Sequence, residues 1–351
     1  MRAESMDFNI QPVHATGAYL GGERMKLSAL IAALGIAVSS SAATADPVNL
    51  TLSGGNPGGL WSLLGAGIDR AAKADDSDSV ITYQATGGGF ANIGLLGGNR
   101  TDLGLLHDAE AKIALQGGEP FSAPIENMRA IGYMYNWAPM HFFVDRGIAE
   151  EYGLKSLADL ADSGAPLRIG INRSGNITSN VALAMLEAVG VTEEAISQSG
   201  GQFVRAGANE QADLIQDGRL DMITNGIFIN HSSFRAVDQN SDVVLLSVPQ
   251  EVIDATNEAF GTGTMVIPGG SYSNQTEDVT SVALGALLVA TDEMPDEVAS
   301  SLASSLITNL DEVRGVHSSM AALSPELLAK PSVLEFHPGA EAVYRDAGLI
   351  N

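Results

Sequence analysis

Residues 80–96 read VITYQATGGGFANIGLL, and this stretch decides the fold. Val80 to Gln84 is typical of a strand, the glycines of Thr86–Gly89 indicate a tight turn, and Phe90 to Leu96 opens a helix. Parallel sheets covered by helices are built from this succession of strand, turn and helix. The stretch therefore predicts an α/β protein.

The same succession recurs on both sides of this stretch. Val48 to Ser53 alternates apolar and polar side chains as a strand does, and Gly55–Gly59 is a turn that precedes apolar residues at helical spacing. Further strands are predicted at 103–106, 167–171, 220–224 and 243–246. The pattern shows no solenoid repeat and no low-complexity linker, so we expect two lobes around a cleft.

Composition and charge restrict the partners. The 351 residues are 45% hydrophobic and carry a formal net charge of −24. This charge argues against nucleic acid and against an anionic lipid surface, because both require clustered Lys and Arg. An acidic surface is otherwise explained by solubility and says little about what is bound. The absence of cysteine excludes disulfides and cysteine-ligated metals.

The first 45 residues have the pattern of an export signal. Arg24–Lys26 is followed by the apolar run Leu27–Val38 and by an Ala-x-Ala site that ends at Ala45. The run is about 12 residues long, which is too short to span a bilayer, and the alternative is a buried helix of the fold. We expect 1–45 to be an N-terminal extension and cleaved signal peptide, with the true start at Met25 and the mature protein in the periplasm.

Three glycine-rich turns, Gly54–Gly59, Thr86–Gly89 and Gly175–Thr178, each follow a strand and precede a helix. Such a turn presents backbone N–H groups at the positive end of a helix dipole, where a carboxylate or phosphate can bind without arginine. Each turn alone is equally typical of an ordinary connection. Three turns in corresponding places favour a shared cleft at the carboxyl ends of the strands. None of them matches a P-loop or a dinucleotide motif.

The sequence has no motif typical of catalysis or metal binding. The histidines show no zinc spacing, and no Gly-x-Ser-x-Gly elbow is present. His107-Asp108 at a strand end could be half of an acid/base pair, although such pairs are more often a polar lining. Trp61 and Trp137 suit a pocket or the core equally. We therefore expect a binding protein with no enzymatic activity, no cofactor and no metal.

Several further segments carry a more specific signal. The strongest is Thr86–Leu96, which is followed by Asp102-Leu103. The others, in chain order, are Gly118–Phe121 (GEPF), Gly153–Leu160 (GLKSLADL), Gln216–Asp221 (QDGRLD), Ile267–Tyr272 (IPGGSY) and His337–Ala340 (HPGA) with Tyr344–Leu349 (YRDAGL). In this order they resemble the TAXI family of solute-binding subunits of TRAP transporters, over nearly all of the mature chain.

The resemblance implies a two-lobed periplasmic-binding-protein type II fold, in which each lobe is a mostly parallel sheet flanked by helices. Lobe 1 would comprise 46–142, lobe 2 would comprise 143–284, and 285–351 would return to lobe 1. Solute would bind in the cleft and favour a closed form. The implied protein is a monomer that captures a small organic acid, such as glutamate or 2-oxoglutarate, for the membrane subunits of a TRAP-type secondary transporter.

The resemblance also implies the binding residues, which lie in the three turns, in the helices that follow the first two turns, and at two strand ends. They are Gly58, Gly59, Trp61, Thr86, Gly88, Asn92, His107, Asn176, Thr178 and Asn225. Gly226 is a weaker candidate, and Arg173 would add a positive charge unless it is exposed at the surface. Two turns depart from the family pattern: Gly58–Ser62 replaces Gly-Gly-Thr-Tyr-Tyr, and Gly175–Ser179 replaces Gly-Ser-Gly-Thr-Glu. These departures leave the ligand open, and they leave a sensory protein or an enzyme on the same fold as alternatives.

Overall fold

The computed structural model describes residues 47–351. The predicted export signal and the start at Met25 lie outside these residues. The strands are β1 (Asn49–Ser53), β2 (Val80–Gln84), β3 (Leu103–His107), β4 (Met128–Asp145), β5 (Arg168–Ile171), β6 (Gln202–Arg205), β7 (Met222–Gly226), β8 (Val243–Leu245), β9 (Gly263–Ile267) and β10 (Val279–Thr291).

Helices follow most of the strands, as the sequence pattern predicts. They are α1 (Leu60–Asp75), α2 (Gly89–Gly97), α3 (Asp108–Gln116), α4 (Arg146–Tyr152), α5 (Asp159–Ser163), α6 (Ile177–Ala188), α7 (Glu193–Gln198), α8 (Ala208–Gln216), α9 (Ser232–Asn240), α10 (Gln250–Phe260), α11 (Asp296–Thr308), α12 (Leu310–Arg314), α13 (Pro325–Leu328) and α14 (Pro338–Asp346), with a 3-10 turn at Ser318–Met320.

The strands form a curled ten-stranded sheet in the order β2-β1-β3-β10-β4-β7-β5-β6, with β8 beside β4 and β9 beside β10. β1, β2 and β3 are parallel to one another, and so are β5, β6 and β7. β10 runs antiparallel to β3 and β4, and β4 runs antiparallel to β7. The prediction of an α/β fold with a sheet flanked by helices is therefore confirmed. The sheet is mixed: its parallel strands are grouped as β1–β3 and β5–β7, and antiparallel β4 and β10 lie between the two groups.

Two long strands join the β1–β3 half of the sheet to the β5–β7 half. β4 pairs with β10 over 128–139 and with β7 over 140–144. Nearly all residues of both strands are buried, and they form almost continuous apolar runs. The pairing of β10 with β4 shifts register between Leu284 and Ala286, which places an irregularity at Gly285 in the middle of the connection.

Helix α1 begins at the carboxyl end of β1. Its apolar residues Leu64, Ile68 and Ala71 recur every three or four positions and are buried, so one face of the helix packs against the core. The preceding turn contains Gly58 with φ of +78°, a left-handed conformation that glycine adopts without strain. This turn sets the direction in which the amino terminus of α1 points.

Among residues 47–351, no helix is both long and apolar enough to cross a bilayer.

Candidate functional site

A cavity of about 300 Å³ lies where the β1–β3 half of the sheet meets the β5–β7 half. Its lining comes from the start of α1, the end of β3, the middle of β4 and the loop after β7. The residues are Gly55, Asn56, Gly59, Leu60, Trp61, His107, Tyr135, Ala138, Gly226, Ile227, Phe228 and His231. This is the carboxyl edge of the parallel strands, where open α/β sheets bind their ligands.

A second cavity, of about 290 Å³, lies at the opposite edge of the sheet. It is lined by Leu50, Asp102 and Thr291 among others, at the amino ends of β1 and β3, and it contains none of the predicted binding residues. We therefore take the cavity at the carboxyl edge as the candidate site.

The amino terminus of α1 opens into the candidate site. Gly59 precedes the helix in an extended conformation and supplies no side-chain cap. The N–H of Gly59 donates to the carbonyl of Asn56 at 3.2 Å, whereas those of Leu60 and Trp61 have no hydrogen-bond partner among the described residues. Two free donors at the positive end of a 16-residue helix therefore border the cavity.

Four aromatic rings line the cavity beside these donors. The ring centroid of Trp61 lies 4.9 Å from that of His107, and His107 lies 6.5 Å from Tyr135. Tyr135 in turn meets Phe228, from the loop after β7, at 5.0 Å in an edge-to-face arrangement. We call these four residues the aromatic wall. Because Phe228 comes from the other half of the sheet, the wall spans the junction between the two halves.

Hydrogen bonds connect the polar atoms of the aromatic wall into a chain. The indole N–H of Trp61 donates to the hydroxyl of Tyr135 at 3.1 Å, and that hydroxyl lies 3.4 Å from Nε2 of His107. Nδ1 of His107 lies 3.2 Å from Oε2 of Glu110. Since an indole N–H can only donate and a carboxylate only accepts, the bonds run in one direction, from Trp61 through Tyr135 and His107 to Glu110. The polar edges of the rings thus bond within the protein.

Two buried carboxyl groups lie behind the wall. Glu110 also accepts a hydrogen bond from the backbone N–H of His107 at 2.8 Å. Asp108 accepts from the N–H of Gly285, at the irregularity in β10, at 2.9 Å. Burial raises the pKa of the Asp108 carboxyl to about 7, against the opposing effect of the neighbouring His107. The site thus has two acidic side chains beneath it. Through Asp108 it is joined to β10, one of the strands that connect the two halves of the sheet.

The Thr86–Gly89 turn is used for internal bonding and does not line the cavity. The Thr86 hydroxyl contacts the carbonyl of Gly54 and lies 2.6 Å from Oδ1 of Asn92. The amide of Asn92 donates to the carbonyl of Leu105 at 2.6 Å, and its side chain is fully buried. Gly88 has φ of +115°, and its N–H donates to Thr86. The three predicted residues of this turn therefore tie α2 to the sheet.

The glutamate beneath the wall also closes the start of α2. The carboxylate of Glu110 packs directly against Gly89, the first residue of the helix, so closely that no side chain would fit there. An anionic side chain of the protein therefore lies beside the start of α2, at the end of a helix dipole that attracts negative charge.

The third turn, before α6, is also capped from within. Oδ1 of Asn176 accepts from the N–H of Thr178 at 3.0 Å and from its hydroxyl at 2.7 Å. Thr178 is buried with its methyl group near Gly226. Asn225 is also buried, accepts from Asn172 at 3.2 Å, and has an amide nitrogen without a partner among the described residues. These residues lie next to the cavity rather than in its lining.

The predicted residues thus fall into two groups. Gly59, Trp61 and His107 line the cavity, with the weaker candidate Gly226. Gly58 belongs to the exposed turn that leads to α1. Arg173 is exposed and pairs with Glu210 at 3.1 Å. Among the described lining residues, none is Lys or Arg.

Sequence reasoning missed Tyr135 and Ala138 in β4 and Phe228 and His231 in the loop after β7. The two strand residues are hidden within an apolar run, and the loop carries no motif. Over residues 47–351 no cluster of three or more potential metal-ligating side chains occurs.

A buried hydrogen-bond relay supports the loop that carries Phe228. The hydroxyl of Tyr272 lies 2.8 Å from Nε2 of His141, and it accepts from the backbone N–H of Asn230 at 3.2 Å. Nδ1 of His141 bonds the carbonyl of Pro139 at 2.9 Å. Burial lowers the pKa of His141 to about 4, so the ring is neutral and accepts the Tyr272 hydroxyl. The loop is thereby fixed to β4.

Comparison with known proteins gives a consistent picture. Residues 52–348 match the NMT1-like family. Among solved structures, MatC from Rhodopseudomonas palustris with bound malate has a TM-score of 0.52 at 13% identity, over 87% of this chain and 99% of that one. A TctC solute-binding protein from Polaromonas gives 0.47 at 15% identity, over 78% and 88%. The periplasmic aliphatic sulphonate-binding protein SsuA from Escherichia coli gives 0.45 at 14%, over 81% and 82%. Of these three, the likeness to MatC shows a shared overall fold.

Proposed function

Because this chain belongs to the NMT1-like family and has the fold of periplasmic solute-binding proteins, we propose that it captures a small organic acid for a TRAP-type secondary transporter. One observation carries the choice of an acid: the uncapped amino terminus of α1 opens into the cavity with two free N–H groups, on Leu60 and Trp61. A carboxylate is the ligand group that such a helix end binds best.

The other two predicted anion sites support this assignment by contrast. The start of α2 lies against Glu110, and the start of α6 is capped by Asn176. Of the three helix starts that the sequence singles out, the one of α1 lines the cavity, where its free N–H groups can reach a ligand. A net charge of −24 does not oppose binding of an anion, because the local potential at a helix end and not the total charge acts on a bound group.

Capture would take place in the periplasm, after removal of 1–45, and would involve movement of two lobes about β4 and β10. In this proposal 46–142 and 285–351 form one lobe and 143–284 the other. In the same proposal the contact between Tyr135 and Phe228, at 5.0 Å between ring centroids, would hold the two lobes together in the closed form. The closed monomer would then be recognised by the membrane subunits of the transporter.

A matched pair of substitutions at the first residue of α1 tests carboxylate binding. Leu60→Pro removes one free N–H, and proline is well tolerated at the first position of a helix. Leu60→Ala removes the same side chain but keeps the N–H. We expect Leu60→Pro to weaken binding of organic acids by about ten- to a hundredfold relative to Leu60→Ala, as for the loss of one hydrogen bond to a charged group. Equal affinities in the two variants would place the carboxylate elsewhere.

The ligand is found by mass spectrometry of solute retained by the purified protein and by titration with organic acids, including glutamate and 2-oxoglutarate. Recovery of the solute unchanged after long incubation separates binding from catalysis. Solute uptake by vesicles that contain the TRAP membrane subunits, and that depends on this protein, separates transport from sensing. A protein that binds sugars but no acid would contradict the proposal.

A further inference from the structure

We infer that the acid bound in this cavity is a monocarboxylate with an apolar, preferably aromatic, body that lies on the aromatic wall of Trp61, His107, Tyr135 and Phe228. This inference rests on the proposed function and narrows its ligand class. The free N–H groups at the amino terminus of α1 account for the carboxylate of the ligand. The chemistry of the aromatic wall indicates what the rest of the ligand is like.

The first argument concerns hydrogen bonding. The Trp61 N–H is donated to Tyr135, the Tyr135 hydroxyl lies against His107, and Nδ1 of His107 faces Glu110. The polar atoms of these three side chains are therefore already paired within the protein. A polar ligand body placed on them would lose its hydration without gaining partners, which is unfavourable. An apolar body loses nothing by this contact and gains from burial.

The second argument concerns charge. Glu110 and Asp108 are buried behind the wall, with 3% and 2% of their surfaces exposed. Among the described residues that line the cavity, none is Lys or Arg. A second carboxylate on the ligand would therefore lie near the Glu110 carboxylate with no Lys or Arg to balance it, and like charges in a poorly solvated site repel strongly. Asp108, whose pKa burial raises to about 7, adds to this repulsion only in the molecules in which it is ionised. This disfavours a dicarboxylate such as 2-oxoglutarate.

The third argument concerns the shape of the wall. The rings contact one another in sequence, at centroid distances of 4.9, 6.5 and 5.0 Å and at angles of 41°, 75° and 75°. Such rings form a continuous surface. A quaternary ammonium group is bound instead by ring faces that surround a central point. The wall therefore favours a planar apolar group, which packs on tilted and edge-on rings, over a quaternary ammonium group.

Three 2-oxo acids with the same head group test the inference on the purified protein: pyruvate, phenylpyruvate and 2-oxoglutarate. We expect phenylpyruvate to bind at least about tenfold more tightly than either of the others by calorimetry, the minimum expected for one buried aromatic contact. The methyl ester of phenylpyruvate keeps the ring but removes the charge, and we expect it to bind weakly. Tighter binding of 2-oxoglutarate would overturn the inference and leave the proposed function intact.

A matched pair of variants tests whether the aromatic ring of the ligand lies on the aromatic wall. Phe228→Ala shortens the aromatic wall, whereas Phe121→Ala removes a half-buried ring that pairs with Phe90 outside the cavity lining. We expect Phe228→Ala to weaken phenylpyruvate binding about tenfold and pyruvate binding less than about twofold, with Phe121→Ala matching the unmodified protein. Equal losses for both acids in Phe228→Ala would overturn the inference. Binding of choline, which has a quaternary ammonium group but no carboxylate, together with no binding of any acid would overturn both this inference and the proposed function.

Discussion

The indole N–H of Trp61 donates a hydrogen bond to the hydroxyl of Tyr135 at 3.1 Å, across 74 positions of the sequence. This bond joins the start of α1 to the middle of β4, the strand that connects the two halves of the sheet. It fixes the indole beside the free N–H groups of the helix. The same contact therefore orients the apolar face of the indole toward the site and provides its N–H group with a hydrogen-bond acceptor.

Removal of the Tyr135 hydroxyl should destabilise the protein and weaken ligand binding. In Tyr135→Phe the indole N–H of Trp61 loses its acceptor and Nε2 of His107 loses its nearest donor. We expect the free energy of unfolding to fall by about 1–3 kcal/mol in urea denaturation, the usual result of leaving a buried polar group unpaired. Affinity for organic acids should fall as well, because the indole is no longer held in place.

Tyr344→Phe is the control for this substitution. Tyr344 is fully buried and donates to the carbonyl of Ile131 at 2.6 Å, away from the cavity lining. We expect a similar loss of stability with unchanged affinity. If both variants lose affinity equally, the effect of Tyr135→Phe comes from general loosening and not from the aromatic wall.

The hydroxyl of Tyr272 should control the order of the loop that carries Phe228. In Tyr272→Phe the N–H of Asn230 loses its acceptor and His141 loses a donor. We expect faster amide hydrogen exchange at Asn230 and His231, with little change in the amides of β1, because only the loop loses a contact. Unchanged exchange at both loop residues would show that the relay does not hold the loop.

Local pattern was sufficient for much of the fold. The strand, turn and helix at 80–96 occur as β2 and α2, and the turn at Gly55–Gly59 leads directly to α1. Strand alternation and glycine positions are properties of neighbouring residues, so a sequence carries them openly. The same patterns put Gly59, Trp61 and His107 near the carboxyl ends of strands, and in the structure these residues line the cavity.

The rest of the site depends on contacts between distant residues. The sequence gives no sign that Glu110 packs against Gly89, because the two are brought together only when α3 lies beside α2. That contact leaves no room for a ligand atom beside Gly89 at the start of α2. The role of Tyr135 could not be predicted either, because the sequence of a buried strand does not indicate which distant loop each of its side chains will contact.

The buried ring of His141 should remain neutral well into acid. Burial lowers its pKa from 6.5 to about 4, so the folded protein takes up its proton later than the unfolded chain does. Its contribution to stability is complete above pH 6.5 and is lost as the pH falls toward 4, by roughly 3 kcal/mol. Nitrogen-15 NMR of the imidazole should show titration near pH 4. In Tyr272→Phe this pKa should rise, because the neutral ring loses its hydrogen-bond donor; a midpoint near 6.5 in the unmodified protein would contradict the assignment.

Asp108 should give a pH dependence of the opposite sign. Burial raises the pKa of its carboxyl from 3.8 to about 7, so the folded protein holds a proton that the unfolded chain has released. This contribution to stability is complete below pH 3.8 and is lost as the pH rises to about 7, by at most roughly 4 kcal/mol. Asp108→Asn cannot ionise. Relative to the unmodified protein, its free energy of unfolding should therefore improve steadily between pH 4 and pH 7 in urea titrations.

The control is Asp346→Asn, which makes the same chemical change on the exposed end of α14. Asn at position 108 leaves one of the N–H groups of Ala109 and Gly285 without its acceptor, so the variant starts from a lower stability at pH 4. Only the change with pH, and not this offset, reports the buried charge. For Asp108→Asn, a stability difference that stays constant from pH 4 to pH 7 would show that Asp108 is ionised in the folded protein throughout. The charge behind the aromatic wall would then be larger near neutral pH, and the discrimination against dicarboxylates should be stronger.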